Sequence, residues 1–369
     1  MKELINKINV FNIKKEDLKN ITIYFLMSRM LIFVFMYLCY PNLQNQGITL
    51  WTLNDTEHYV AIAERWYYYD YEAAFFPFLP ILIRFFGKIP IMILNNILAY
   101  ISTFIIYQLT KELFPEKSPM LMVKIWLYNP IAVFTCILYT ESIFIFLTLV
   151  VYYLYKHQKY YILQGILLGL AVATRSPASL LFFTIFIFMM INVKNKKEKF
   201  SNVVKMYIPA TIISCLYPIY LYFETGSFFM FARVQTEVWN HVKSNIFTSI
   251  YYAIKLSFEY TGEYRWLNIA DLAFFTFFLV LLIYSIIKYR KNKNVYDLLL
   301  YAALTIIAVC STSVNDTAIG VGAMVSYYRY LYGCSAFILL MPNSNKYYWI
   351  QKIPFFIVTC FFLLNHYFF

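Results

Sequence analysis

Apolar runs of bilayer-crossing length, about 17 to 25 residues, recur from one end of the chain to the other, separated by short polar stretches. This pattern predicts spans over roughly 21–40, 90–110, 119–138, 140–156, 160–174, 177–193, 206–223, 268–288, 296–312, 322–341 and 352–368, which is about eleven crossings. The fold class this predicts is all-α, a polytopic helical membrane protein. In lipid only helices or closed barrels satisfy every backbone group, and these runs are too long and continuous for barrel strands. The segment 75–88 is short and interrupted by Pro77 and Pro80, so it reads as a half-span. The whole chain, 1–369, reads as one integral membrane domain without a clear internal repeat.

The lysines set its orientation. Lys2, Lys7, Lys14, Lys15 and Lys19 precede the first span. Lys111 with Lys117, Lys156 with Lys159, the group Lys194 to Lys199, and Lys288, Arg290, Lys291 and Lys293 mark later loops. All fall on one side, which the positive-inside rule makes the cytoplasm. The N-terminus is then cytoplasmic, and the first span reads as a retained signal anchor, since no small-residue cleavage site follows a short apolar core. The expected location is a plasma (inner) membrane, or the endoplasmic reticulum membrane in a eukaryotic cell. Two long loops, 41–75 and 224–267, fall outside.

Composition agrees with this picture. Of 369 residues 61% are hydrophobic and 14% charged, against about 25% charged in soluble domains. The net charge of +12 sits in short loops and points to no nucleic acid. Six scattered cysteines without a CxxC pair indicate neither a zinc site nor a disulfide framework.

A topology drawn from lysines alone gathers the unusual polar residues at the opposite face: Glu141, Arg175, Arg233, Gln235, Asp316 and, deeper, Arg329. The first external loop adds carboxylates and aromatics. Asn54 to Trp66 predicts a short interfacial helix, with Tyr59, Ile62, Ala63 and Trp66 on one face and Glu57 and Glu64 off it. Asn54 followed by Glu57 has the form of a capping box.

Asp55 reads in two ways, as a carboxylate favouring a helix N-terminus or, beside Glu57 and His58, as a general base at the membrane surface. The run Asp55–His58 also carries metal-ligand chemistry that leaves a divalent metal open, but without a distant partner ligand the metal is not indicated, and the sequence makes no cofactor certain. Glu141 with Arg175 or Arg329 reads as a structural ion pair or, on the arginine side, as a clamp for a phosphate, which guanidinium binds in bidentate geometry. In the second loop Arg233, Gln235, Trp239, Asn240 and His241 lie close together. Gln, Asn and Trp suit sugar hydroxyls and faces, and Trp239 equally suits an interface anchor.

Together these stretches resemble the PIG-V family of mannosyltransferases, within the GT-C superfamily of membrane glycosyltransferases. The resemblance rests on Asp55 through His58-Tyr59 and Ile62-Ala63 to Ala74-Phe75-Phe76-Pro77, on Asn129-Pro130 and Tyr139-Thr140-Glu141-Ser142, and on Gly169-Leu170-Ala171 with Thr174-Arg175-Ser176. Gln235 with Trp239-Asn240 and Ser326 with Arg329-Tyr330 complete it. It implies an inverting transfer, outside the cytosol, of a sugar, usually mannose, from a polyprenyl- or dolichyl-phosphate donor to a hydroxyl on a glycolipid, glycan or protein. Asp55 maps to the family's catalytic aspartate, with Arg175 and Arg329 expected at the donor phosphate. Glu57, His58, Glu141, Arg233, Gln235, Trp239 and Asn240 are expected to support or bind substrate. Asn54 departs from the family, which usually has Trp before that aspartate. The chain is also shorter than the eukaryotic enzymes it resembles, which suggests a bacterial homologue.

Two other readings compete. A lipid-linked sugar flippase or other transporter predicts paired broken helices around a midplane site, whereas this chain has 9 glycines and polar residues at one face. A membrane O-acyltransferase calls for a membrane-embedded histidine, and His58, His157, His241 and His366 all fall in loops or at the C-terminus.

Overall fold

The computed structural model describes residues 13–45, 47, 49–191, 196–314 and 323–364. Asp316, His366 and the lysines Lys2, Lys7 and Lys194 lie outside the described residues. The protein is an all-α, polytopic helical membrane protein. Helix α1 covers Lys15–Asn45, α2 Asp55–Arg65, α3 Phe78–Phe86 and α4 Lys88–Leu113. Then come α5 (Pro119–Leu127), α6 (Glu141–Lys156), α7 (Tyr161–Thr174), α8 (Ala178–Ile191), α9 (Lys196–Thr225) and α10 (Met230–Glu237). Helices α11 (Ile246–Glu259), α12 (Gly262–Tyr289), α13 (Tyr296–Val309), α14 (Tyr327–Gly333), α15 (Ser335–Leu340) and α16 (Asn345–Leu363) complete the chain. Among the described residues, four segments are long and apolar enough to cross a membrane: α1, α4, Phe200–Thr225 of α9 and Tyr264–Tyr289 of α12. Their exposed faces carry large apolar side chains such as Leu38, Ile93, Leu216 and Ile287, the surface a lipid environment favours and water does not.

The half-span expected at 75–88 is α3, nine residues long. It ends at Gly87, whose φ of 86° lies in the left-handed region open to glycine. Two expected spans are not continuous helices. The stretch 119–138 begins well, with Ser118 accepting from the Leu121 N–H and Pro119 at the first turn, both favourable helix starts. It stops at Tyr128 because Pro130 has no N–H to give.

From there to Glu141 the backbone turns irregularly while fully buried, a conformation tolerated at depth only when its polar groups find partners. Neighbouring α4 provides them. Asn95 donates to the carbonyls of Ile137 and Tyr139, and Asn96 to that of Cys136. Asn129 braces the turn, donating to the Trp126 carbonyl and accepting from the Ile131 N–H. The stretch 322–341 is likewise broken, into α14 and α15 at Cys334.

The tightest helix pair is α7 against α9. A Cβ on Gly165 would sit 2.0 Å from the Met206 carbonyl oxygen, and one on Gly169 2.7 Å from Ile213 Cβ. Glycine at these two positions, four residues apart on one face, lets the backbones touch, as small residues do between membrane helices.

Among the described residues the only strands are two short ones, β1 (Val242–Lys243) and β2 (Thr312–Ser313), antiparallel with Val242 opposite Ser313. Tyr327 donates its hydroxyl to the Thr312 carbonyl. The 224–267 stretch is thereby fastened to the segment leading into α14.

Candidate active site

Three elements converge at one end of the bundle. Asp55 is the first residue of α2, Glu141 the first of α6, and Arg329 lies in α14. Arg175 caps the C-terminus of α7, where Pro177 follows and a cation is favoured. Their side chains form one continuous network. Arg329 Nη2 lies 2.9 Å from Asp55 Oδ2 and 3.0 Å from Glu141 Oε1. Arg329 Nε adds a second bond to Glu141 at 3.2 Å, and Arg175 Nη1 reaches the same oxygen at 2.5 Å. Glu141 is wholly buried, Arg329 is 5% exposed and Arg175 11%, whereas Asp55 is 27% exposed. The network therefore runs from a buried floor to a partly exposed carboxylate.

Aromatic rings line it. Arg329 lies over Phe134 and Tyr139, 4.9 and 5.0 Å from their centroids, and Arg175 over Tyr330 at 4.7 Å. Such stacking suits a guanidinium removed from water. The Tyr139 hydroxyl accepts from the Asp55 N–H at 3.2 Å, tying the start of α2 to the irregular 128–140 segment. The expected capping box does not form: Asn54 has φ 50° and makes no side-chain cap bond, and its carbonyl accepts from the Glu57 N–H. With the side-chain cap absent, Tyr139 braces the helix end that carries Asp55.

The structure brings His58 and Trp239 together although they are far apart in sequence. Their centroids are 6.0 Å apart, and Phe75 stacks on His58 at 4.5 Å. Four other expected residues lie apart. Glu57 is exposed. Arg233 pairs with Glu237 on its own helix at 2.6 Å, both well exposed. Gln235 accepts from the His241 N–H through its backbone carbonyl, and Asn240 is exposed with φ 54°. Among the described residues no hydrogen bond or ion pair joins these four to the network. Burial pushes the His241 imidazole below its ordinary pKa, so it is neutral at pH 7.

The stretch between α2 and α3 has its own clamp. Arg65 holds Glu72 with two bonds, 2.5 and 3.0 Å, and the backbone N–H groups of Tyr68 and Tyr69 add two more. Burial pushes the Glu72 carboxyl up, but Arg65 and these N–H groups outweigh it and hold it below its ordinary value. Among the described residues no three His, Cys, Asp or Glu side chains gather as a metal-binding group.

Sequence reasoning missed Phe134, Tyr139 and Tyr330 as partners of the arginines. Tyr330 adjoins Arg329 in sequence and Tyr139 lies two residues before Glu141, so both were within reach. Phe134 left no signal, because an isolated phenylalanine among apolar residues looks like core.

Fold and network define a multi-pass membrane protein whose charged centre opens at one end of its helices. The model of one family, described as dolichyl-phosphate-mannose-protein mannosyltransferase, matches residues 73–223. That is less than half of the chain, and it includes Glu141 and Arg175 but neither Asp55 nor Arg329. The match indicates membrane glycosyltransferase activity of the mannosyltransferase type. Neither the curated proteins nor the solved structures contain a match to the chain.

Proposed function

We propose that the protein transfers a sugar, mannose first among the candidates, from a polyprenyl-phosphate-linked donor to a hydroxyl acceptor on the extracytoplasmic side. The PIG-V-like resemblance supports this donor class. The observation that carries the reading is the Asp55–Arg329–Glu141–Arg175 network, which sets one reachable carboxylate beside two fixed cations.

Asp55 takes the proton of the acceptor hydroxyl as its oxygen bonds to the anomeric carbon. The anomeric carbon–phosphate oxygen bond breaks on the opposite face, so configuration inverts and polyprenyl phosphate leaves with the bonding pair. Arg175 and Arg329 offset the charge that grows on that phosphate. Both stay cationic at any relevant pH, and Glu141 holds them in place. The His58–Trp239–Phe75 cluster provides the aromatic wall against which sugar or acceptor rests.

The test uses membranes holding the wild type or Asp55→Asn, given labelled polyprenyl-phosphate-mannose and native membrane extract. Label should reach a new product with the wild type only. Equal transfer by a folded Asp55→Asn would remove Asp55 as the base. Movement of labelled lipid across proteoliposomes with no covalent product would favour the transporter reading.

A further inference from the structure

At the far end of α2 from Asp55, a groove of about 800 Å³ opens between α2, the α3–α4 corner and Trp51. Glu64 and Ala63 form one side, and Arg84, Gly87, Lys88 and Pro90 the other. Arg84 Nη1 donates to the Ala63 carbonyl at 3.1 Å, using a C-terminal carbonyl of α2 that the helix leaves open. Lys88 reaches Glu64 at 2.8 Å across the groove, with Lys88 34% and Glu64 63% exposed. The left-handed Gly87 corner ends α3 and starts α4 so that both cations face the same opening. Two cations against one carboxylate leave one net positive charge. Directly beside them Phe85, Phe86, Ile89 and Ile93 are exposed to between 54% and 77%. That apolar surface continues onto the outward face of the membrane-length helix α4.

We propose that this groove binds the headgroup of an anionic bilayer phospholipid. Arg84 and Lys88 meet the phosphate, and the acyl chains lie along Phe85, Phe86, Ile89 and Ile93. The occupant is a bilayer lipid and not the sugar donor because of distance. Glu64 lies nine residues along α2 from Asp55, about 13 Å at 1.5 Å per residue, so a donor phosphate here could not present its anomeric carbon to Asp55. Because the groove wall is α2 itself, a seated headgroup also steadies the helix that carries Asp55.

The experiment is native mass spectrometry of the purified full chain with phosphatidylglycerol, phosphatidylcholine or polyprenyl phosphate, for the wild type, Arg84→Gln/Lys88→Gln and Glu64→Gln. Circular dichroism melting accompanies each variant as a folding check. The wild type should retain phosphatidylglycerol over phosphatidylcholine by about fivefold, which one net positive charge at a lipid surface contributes. The double variant should lose that preference while staying folded. Glu64→Gln, which removes the competing carboxylate, should increase it. Equal retention of both phospholipids by the wild type, or an undiminished preference in the double variant, overturns the proposal. So does retention of polyprenyl phosphate above phosphatidylglycerol that disappears in the double variant, since that would make the groove a carrier site. None of these readouts requires sugar transfer, so failure here is distinguishable from failure of the proposed activity.

Discussion

Arg329 binds Asp55 across 274 positions of sequence, with Nη2 2.9 Å from Oδ2, and the same nitrogen holds the buried Glu141. One guanidinium thus fixes the accessible carboxylate to the floor of the site. Removing it should act on stability and activity together. Arg329→Met strips Asp55 of its cation and leaves Glu141 with Arg175 alone. A buried pair broken on one side costs about 3–5 kcal/mol, and the remaining Arg175 keeps the loss near the lower end. Arg329→Lys retains the charge but not the fork, so it should melt nearer to wild type and still transfer poorly. Thermal melting and labelled-sugar transfer on both variants check this. Arg329→Met with wild-type stability would remove the network as a structural element.

Trp239 meets His58 from a distant stretch of the chain. If the pair forms a wall for substrate, Trp239→Ala should raise KM for the acceptor more than it lowers kcat. An increase of about tenfold corresponds to ~1.4 kcal/mol of lost contact. A pure kcat loss would instead place Trp239 with the reacting atoms.

The Arg65–Glu72 clamp predicts a pH dependence. Glu72 titrates below its ordinary value of 4.5 in the folded chain, so the unfolded chain binds its proton first as pH falls. The stability the clamp contributes is fully present above that ordinary value and is lost as pH drops through the lower folded pKa. Melting curves from pH 7 down to pH 3 should show the wild type losing stability there, and Glu72→Gln, less stable at neutral pH, should show a shallower acid loss.

Gly165 has no room for a side chain: a Cβ would sit 2.0 Å from the Met206 carbonyl oxygen. Gly165→Ala must push α9 away from α7, an overpacking that costs about 1–3 kcal/mol. A lowered melting temperature is the expected outcome. Arg175 caps α7, so transfer should fall as well. Gly226→Ala is a different case: its left-handed φ of 72° with nothing within 4 Å predicts backbone strain and no clash, hence a smaller loss.

The sequence by itself determined the fold class, since apolar runs of bilayer length admit only self-satisfied helices. It also placed the short helix after Asn54 and the break at 75–88, because local prolines and a period of 3.6 are legible without partners. It picked out Asp55, Glu141, Arg175 and Arg329, since charge near apolar spans stands out against its neighbours.

Only the tertiary structure decided how these meet. One guanidinium bridging two carboxylates depends on how α14 lies against α2 and α6, and no local pattern records that. The same is true of the interrupted stretch at 128–140. Pro130 signals a break, but the chain can stay irregular and buried there only because Asn95 and Asn96 from α4 supply the missing donors. Glu57, Arg233, Gln235 and Asn240 show the converse. Their places along the sequence grouped them with the site, and the backbone that carries them sets them away from its charges.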